Sequence, residues 1–248
     1  MELFSDPEVV EVFKRTKGRG VGADFLSGLA FVDTTVHKDD SPEIRKIKKD
    51  MARGVPLGYH APSGTVFVDI DRVTPEFVKD GGLDHEVSHA KIERDYHGEF
   101  AQLEERFGFS RFGKSKNSEI EAIVESFEEV AAHVHTFNFR GRDEKYVEQV
   151  YEKYRIQQGD PESIQEFVDV QLADSKFIQI AEALASFDYL DLKTAGLIRE
   201  SLSKYKGLGD LAEQNLDKIF KLVECFQSAH KLKKASFEKL QTLLGSMT

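Results

Sequence analysis

The sequence predicts an α+β fold: a small mixed sheet with two motif-bearing helices, followed by an all-helical C-terminal part. Three observations predict it. Two β-branched runs, LAFVDTTV (29–36) and GTVFVDI (64–70), are bounded by turn residues. Between residues 117 and 137 apolar side chains recur at helical spacing: Ile120, Ile123, Val124, Phe127, Val130, Ala131 and Val134. After Gly159 every pattern is helical. The expected division is therefore 1–157, carrying the sheet, and 158–248, all helix.

Each element has its own local signal. Residues 6–17 form an amphipathic stretch that Gly18, Gly20 and Gly22 close. Ser41 and Pro42 open a short helix that Gly54 ends. Ala61-Pro62-Ser63-Gly64 is a turn before the second strand, and Thr74-Pro75 suits the start of a helix. Gly81-Gly82 kinks or delays that helix. Asp160-Pro161 starts another after the Gly159 break, and further helices are expected over 176–187, 192–205, 209–230 and 236–244.

Composition limits the function classes. The apolar fraction is 40% and the charged fraction 31%, values of a soluble globular chain. No apolar run approaches the roughly 20 residues of a membrane span. The acidic N-terminus lacks the basic start and apolar stretch of a signal peptide. Cys225 is the single cysteine, which excludes an internal disulfide and fits a reducing, cytoplasmic compartment. The formal net charge of −10 disfavours nucleic acid as a partner, because phosphate binding needs positive charge. A slight basic excess over residues 191–248 reads as a solvated helix face.

His85-Glu86-Val87-Ser88-His89 spells H-E-x-x-H. Two histidines four apart on a helix point the same way, so both imidazoles can reach one ion. Zinc accepts imidazole nitrogens, and a catalytic site uses three protein ligands and a water. Glu86, beside the first histidine, is placed to take a proton from the attacking water and pass it to the leaving amine. Leu83, Val87 and Ala90 make an apolar back face.

The motif lacks the third ligand. Asp95 lies six residues after His89, but the turn that would return it needs a glycine where Ile92 stands. His97 has no turn signal either. Glu121 sits at the edge of the apolar stripe of the 117–137 helix, with small Ala122 beside it. Glu125, one turn on, is placed to accept the second ring N–H of a ligand histidine. The expected metal set is thus His85, His89 and Glu121, with Glu125 behind. The competing reading is structural: Ser118-x-x-Glu121 is a capping box, and Glu125 and Glu128 are a solvated face.

HEVSH followed, 32 residues after its second histidine, by E-A-x-x-E resembles the gluzincin zinc metallopeptidases. With the GTVFVDI strand just upstream, the stretch 29–137 is similar to the minigluzincins and the ImmA/IrrE-type peptidases. The resemblance implies Zn2+ and a peptide or protein substrate. It also implies a substrate-edge strand at Thr65, Val66, Phe67, Val68, Asp69 and Ile70, on which the peptide lies by backbone pairing. A histidine or tyrosine that steadies the oxyanion is implied as well; Tyr96, His97, His133, His135 and Tyr146 are candidates. No N-E-x-x-S-D string is present, and Glu125 stands where the thermolysin-type pattern has aspartate. The expected activity is zinc-dependent endopeptidase. The alternative is a regulatory or partner-binding protein with a metallopeptidase-like domain and a helical interaction module.

Overall fold

The computed structural model describes residues 28–32, 35–38, 40, 42–52, 57–60, 65–69, 79–110 and 117–247. The helix expected over 6–17, and Ile70, Thr74 and Pro75, lie outside these residues. The chain divides into two compact units, Met1–Asp95 and Tyr96–Thr248. The expected boundary at 157/158 falls inside the second unit. There Tyr154, on one side of it, packs against Phe167 and Phe187 on the other, with ring centroids 5.9 Å apart in both pairs.

Among the described residues, the first unit holds three short strands, β1 (Gly28–Val32), β2 (Leu57–His60) and β3 (Thr65–Asp69), in the order β1-β3-β2. Helix α1 (Pro42–Ala52) lies beside β2. Its Lys48 is buried, donates to the Thr35 carbonyl at 2.9 Å and pairs with Asp40 at 3.1 Å. The central strand β3 is parallel to β1, with Gly28 opposite Thr65, and antiparallel to β2, with His60 opposite Thr65. Both backbone edges of β3 are therefore used. Residues 65–69 do not offer the free edge that a substrate strand needs, which corrects that expectation.

Helix α2 (Gly82–Phe107) carries HEVSH and begins at a glycine turn. Gly81 has φ +100°, a conformation that glycine adopts freely, and its carbonyl accepts the His85 N–H at 2.9 Å. The helix that carries HEVSH thus starts where the Gly-Gly pair allows. Its backbone leaves helical geometry at Tyr96, with φ −129° and ψ 21°.

Among the described residues, the second unit contains the rest of α2 and seven helices: α3 (Ser118–Phe139), α4 (Glu144–Tyr154), α5 (Pro161–Ala173), α6 (Phe177–Leu190), α7 (Leu192–Ser203), α8 (Asp210–Gln227) and α9 (Lys234–Gly245). A 3-10 turn, Ser228–Lys231, joins the last two. Local chemistry sets the starts. Asp143, Asp160 and Asp191 cap α4, α5 and α7 by accepting N–H groups of the first turn, and Pro161 fills the first position of α5. Helix α6 is central, packing on α3, α7 and α8. Ile180, Ala181, Ala183, Leu184, Ala185 and Phe187 are fully buried on it. Each large apolar side chain so buried contributes about 1.5–3 kcal/mol.

The α+β expectation is corrected to a helical fold. Every apolar side chain described as buried lies on a helix or in a turn next to one. The three strands are four or five residues long and form a minor element of the fold. Long helices with one apolar face each can close a core among themselves, so no sheet layer is needed to bury them. No described helix is long and apolar enough to cross a membrane.

Candidate metal centre

His85 and His89 lie on one face of α2, and both are half-buried. Their Nε2 atoms are 3.2 Å apart and the rings meet edge to face, with centroids 4.8 Å apart. Two nitrogens bound to one tetrahedral zinc at 2.0–2.1 Å stand about 3.3 Å from each other. The pair therefore has the spacing of two ligands of a shared ion. The opposite face is held by buried Leu83, Val87 and Ala90, as the periodicity implies. Ser88, also buried, donates to the Asp84 carbonyl at 2.9 Å. Glu86 is half-buried beside the pair.

Asp95 is committed elsewhere. Its carboxylate receives Lys91 and Arg94. Burial works against its charge, but these two partners outweigh that and hold its pKa below the ordinary value.

In the second unit α3 places Glu121, Glu125, Glu129 and His133 along successive turns. The helix is capped by Asn117, whose side chain accepts the Ile120 N–H at 3.3 Å. Ser118 is then the first helical residue, so the Ser118/Glu121 capping box is one position out of register. Glu121 is half-buried and Glu125 exposed. Two turns further, Glu129 and buried His133 bring Oε1 and Nε2 to 3.3 Å. That is again the ligand-to-ligand spacing of a shared ion. A fixed helical rise of about 1.5 Å per residue separates Glu121 from Glu129 by roughly 12 Å, so one ion takes only one of them.

His133 is anchored on its other side. Its Nδ1 lies 2.8 Å from the hydroxyl of Tyr146, a fully buried side chain on α4. Lys153, one helical face along α4, binds Glu129 at 2.6 Å and Glu182 of α6 at 2.7 Å, and its Nζ lies 3.4 Å from His133 Nε2. Glu182 also accepts Ser126 at 2.5 Å and Tyr154 at 2.8 Å. Burial disfavours the charge of Lys153, yet the attraction of Glu182 and Glu129 outweighs it and raises its pKa. Burial, with Glu182 and Glu129 adding to it, pushes the Tyr154 phenol well above its usual range.

Of the oxyanion candidates, His97 is exposed. Tyr96 donates its hydroxyl to the Leu232 carbonyl at 2.7 Å, and Tyr146 and His133 engage each other. His135 stacks on Phe139.

Among the described residues, Glu129 and His133 each offer a ligand atom to a donor set that could hold a metal ion. Sequence reading singled out His85 but passed over Glu129 as a ligand and weighed His133 only as an oxyanion donor. The signal was present: E-x-x-x-H at 129–133 has the same i, i+4 spacing as the two histidines of HEVSH. Lys153 and Glu182 carried no local signal. No family model matches the chain, and no curated protein or solved structure matches it significantly.

Proposed function

We propose that the chain is a metal-dependent hydrolase acting on peptide bonds, with zinc held by His85, His89 and, as the E-A-x-x-E resemblance implies, Glu121. The observation that carries this reading is the 3.2 Å separation of the two Nε2 atoms. It is the edge of a tetrahedral site, formed by side chains four apart on one helix. Bound zinc would supply Lewis acidity and lower the pKa of a water. With zinc bound, Glu86 would be the group placed to take a proton from that water and deliver it to the leaving amine. Glu129 and His133, 3.3 Å apart on α3, are a separate candidate pair. The single cysteine, Cys225, is buried, in keeping with a reducing, cytoplasmic setting.

A second reading has its own observation. Glu129 and His133 stand 3.3 Å apart within the helical unit, and a metal held there would tie α3 into that unit as a structural ion. The chain is then a partner-binding protein stabilised by metal. Cleavage of an unfolded protein by zinc-loaded wild type, and its loss in Glu86→Gln, separates the two. A zinc-loaded chain without activity toward such substrates supports the structural reading.

A further inference from the structure

Three side chains from two helices, α3 and α6, converge on one ammonium of α4. Lys153 Nζ is 2.6 Å from Glu129 Oε1, 2.7 Å from Glu182 Oε1 and 3.4 Å from His133 Nε2. Glu129 Oε1 and His133 Nε2 are themselves 3.3 Å apart. The ammonium therefore stands between the carboxylate oxygen and the ring nitrogen, on the side where an ion bound by both would lie.

Both ring nitrogens of the histidine are engaged: Nδ1 lies 2.8 Å from the Tyr146 oxygen, and Nε2 faces Glu129 Oε1 at 3.3 Å and the Lys153 ammonium at 3.4 Å. A histidine that ligates through Nε2 has the same arrangement, with its second nitrogen fixed by a hydrogen bond. The pair thus already has the spacing of metal ligands, with a cation of the protein's own in place.

We propose that Lys153 is the resident counter-ion of the Glu129/His133 half-site and competes with a divalent cation for it. The inference rests on the reading that Glu129 and His133 hold the metal. When metal enters, the ammonium gives up Glu129 and keeps Glu182, which also retains Ser126 and Tyr154. Lys153 is partly exposed and has a flexible stem, so it can turn away without opening the core. The occupied and vacant states then differ by one exchange of cations, which lets the unit stay folded without metal. This sets a threshold on the metal concentration at which the site fills.

The test is zinc titration of the full chain against a chromophoric chelator. Lys153→Met removes the competitor but leaves Glu182 with one partner fewer. Lys153→Met/Glu182→Gln removes both charges, keeps the local net charge, and leaves Ser126 and Tyr154 able to bond the amide. The double variant should bind zinc at least about tenfold more tightly than wild type, since an ammonium within hydrogen-bond distance opposes metal entry by well over RT. Glu182→Gln alone should bind more weakly, because Lys153 then falls wholly to Glu129. Unchanged or weaker affinity in a double variant with wild-type circular dichroism, while His133→Ala still weakens binding, overturns the inference alone. Unchanged affinity in His133→Ala overturns the underlying reading and this inference with it.

Discussion

Phe237 of α9 packs against Tyr96 and Phe100 of α2, with centroids 5.3 and 5.1 Å away, and against Phe127 of α3 at 5.7 Å. The C-terminal helix is therefore part of the core of its unit. Phe237, Leu240 and Leu244 are at most 2% exposed. A segment that merely lay across the surface would not bury three apolar anchors this way. Phe237→Ala should cost about 3–5 kcal/mol. A chain ending near Lys234 should lose cooperative unfolding of Tyr96–Thr248. A truncated chain with the wild-type denaturation midpoint would show that α9 is dispensable.

The metal prediction concerns His85 and His89. Purified protein should carry about one zinc per chain. His85→Ala and His89→Ala should each lower occupancy strongly while leaving circular dichroism unchanged. Full occupancy in both, measured by elemental analysis, would remove HEVSH from the site.

Base and ligand separate in Glu86→Gln. The amide keeps the size of the side chain and loses the proton acceptor. Zinc should stay, and hydrolysis of an unfolded protein should fall by about 10²-fold or more. If zinc is lost along with activity, Glu86 acts on the metal and not on the proton.

The α3 donor is decided by comparing two positions roughly 12 Å apart on one helix. Glu121→Ala should weaken zinc binding by about 10-fold or more, the scale of losing a ligand or its support. Glu129→Ala should leave it near wild type. The reverse pattern would place the ligand at Glu129, as the structural reading requires.

His230 makes stability depend on pH. Its Nε2–H donates to the Ala185 carbonyl at 3.0 Å. Burial lowers its pKa below the ordinary 6.5; that hydrogen bond and nearby Asp188 oppose the shift more weakly. The folded chain thus holds fewer protons than the unfolded one between the two values. Stability should decline as pH falls through 6.5 toward the folded pKa, and level off below it. His230→Gln keeps a donor for Ala185 and should flatten this slope in thermal melts between about pH 7 and 5. Asp95 and Asp191, whose pKa values are lowered from 3.8, act only in more acidic solution. An equal slope in wild type and His230→Gln would assign the decline to another group.

The sequence by itself determined the helices and the histidine pair. Asp160-Pro161 marks the start of α5, and the apolar stripe of α3 is buried residue for residue, from Ile120 to Val134. HEVSH lies on a helix with its two imidazoles together, because i, i+4 geometry is a property of the backbone alone. One local signal was missed: Asp143 caps α4, whose Tyr146, Val147, Val150, Tyr151 and Tyr154 repeat at helical spacing. Only the tertiary structure decided the rest. It placed β3 between two strands, which no run of β-branched residues specifies. It moved the division of the chain to Asp95/Tyr96 and built α9 into a core. It also brought Lys153, 20 residues beyond His133, and Glu182, 29 residues further on, to the Glu129 carboxylate. Helical periodicity tells which side of a helix is buried. It does not tell which polar groups of other helices will meet there, because that follows from how the apolar faces pack, and packing is a property of the whole chain.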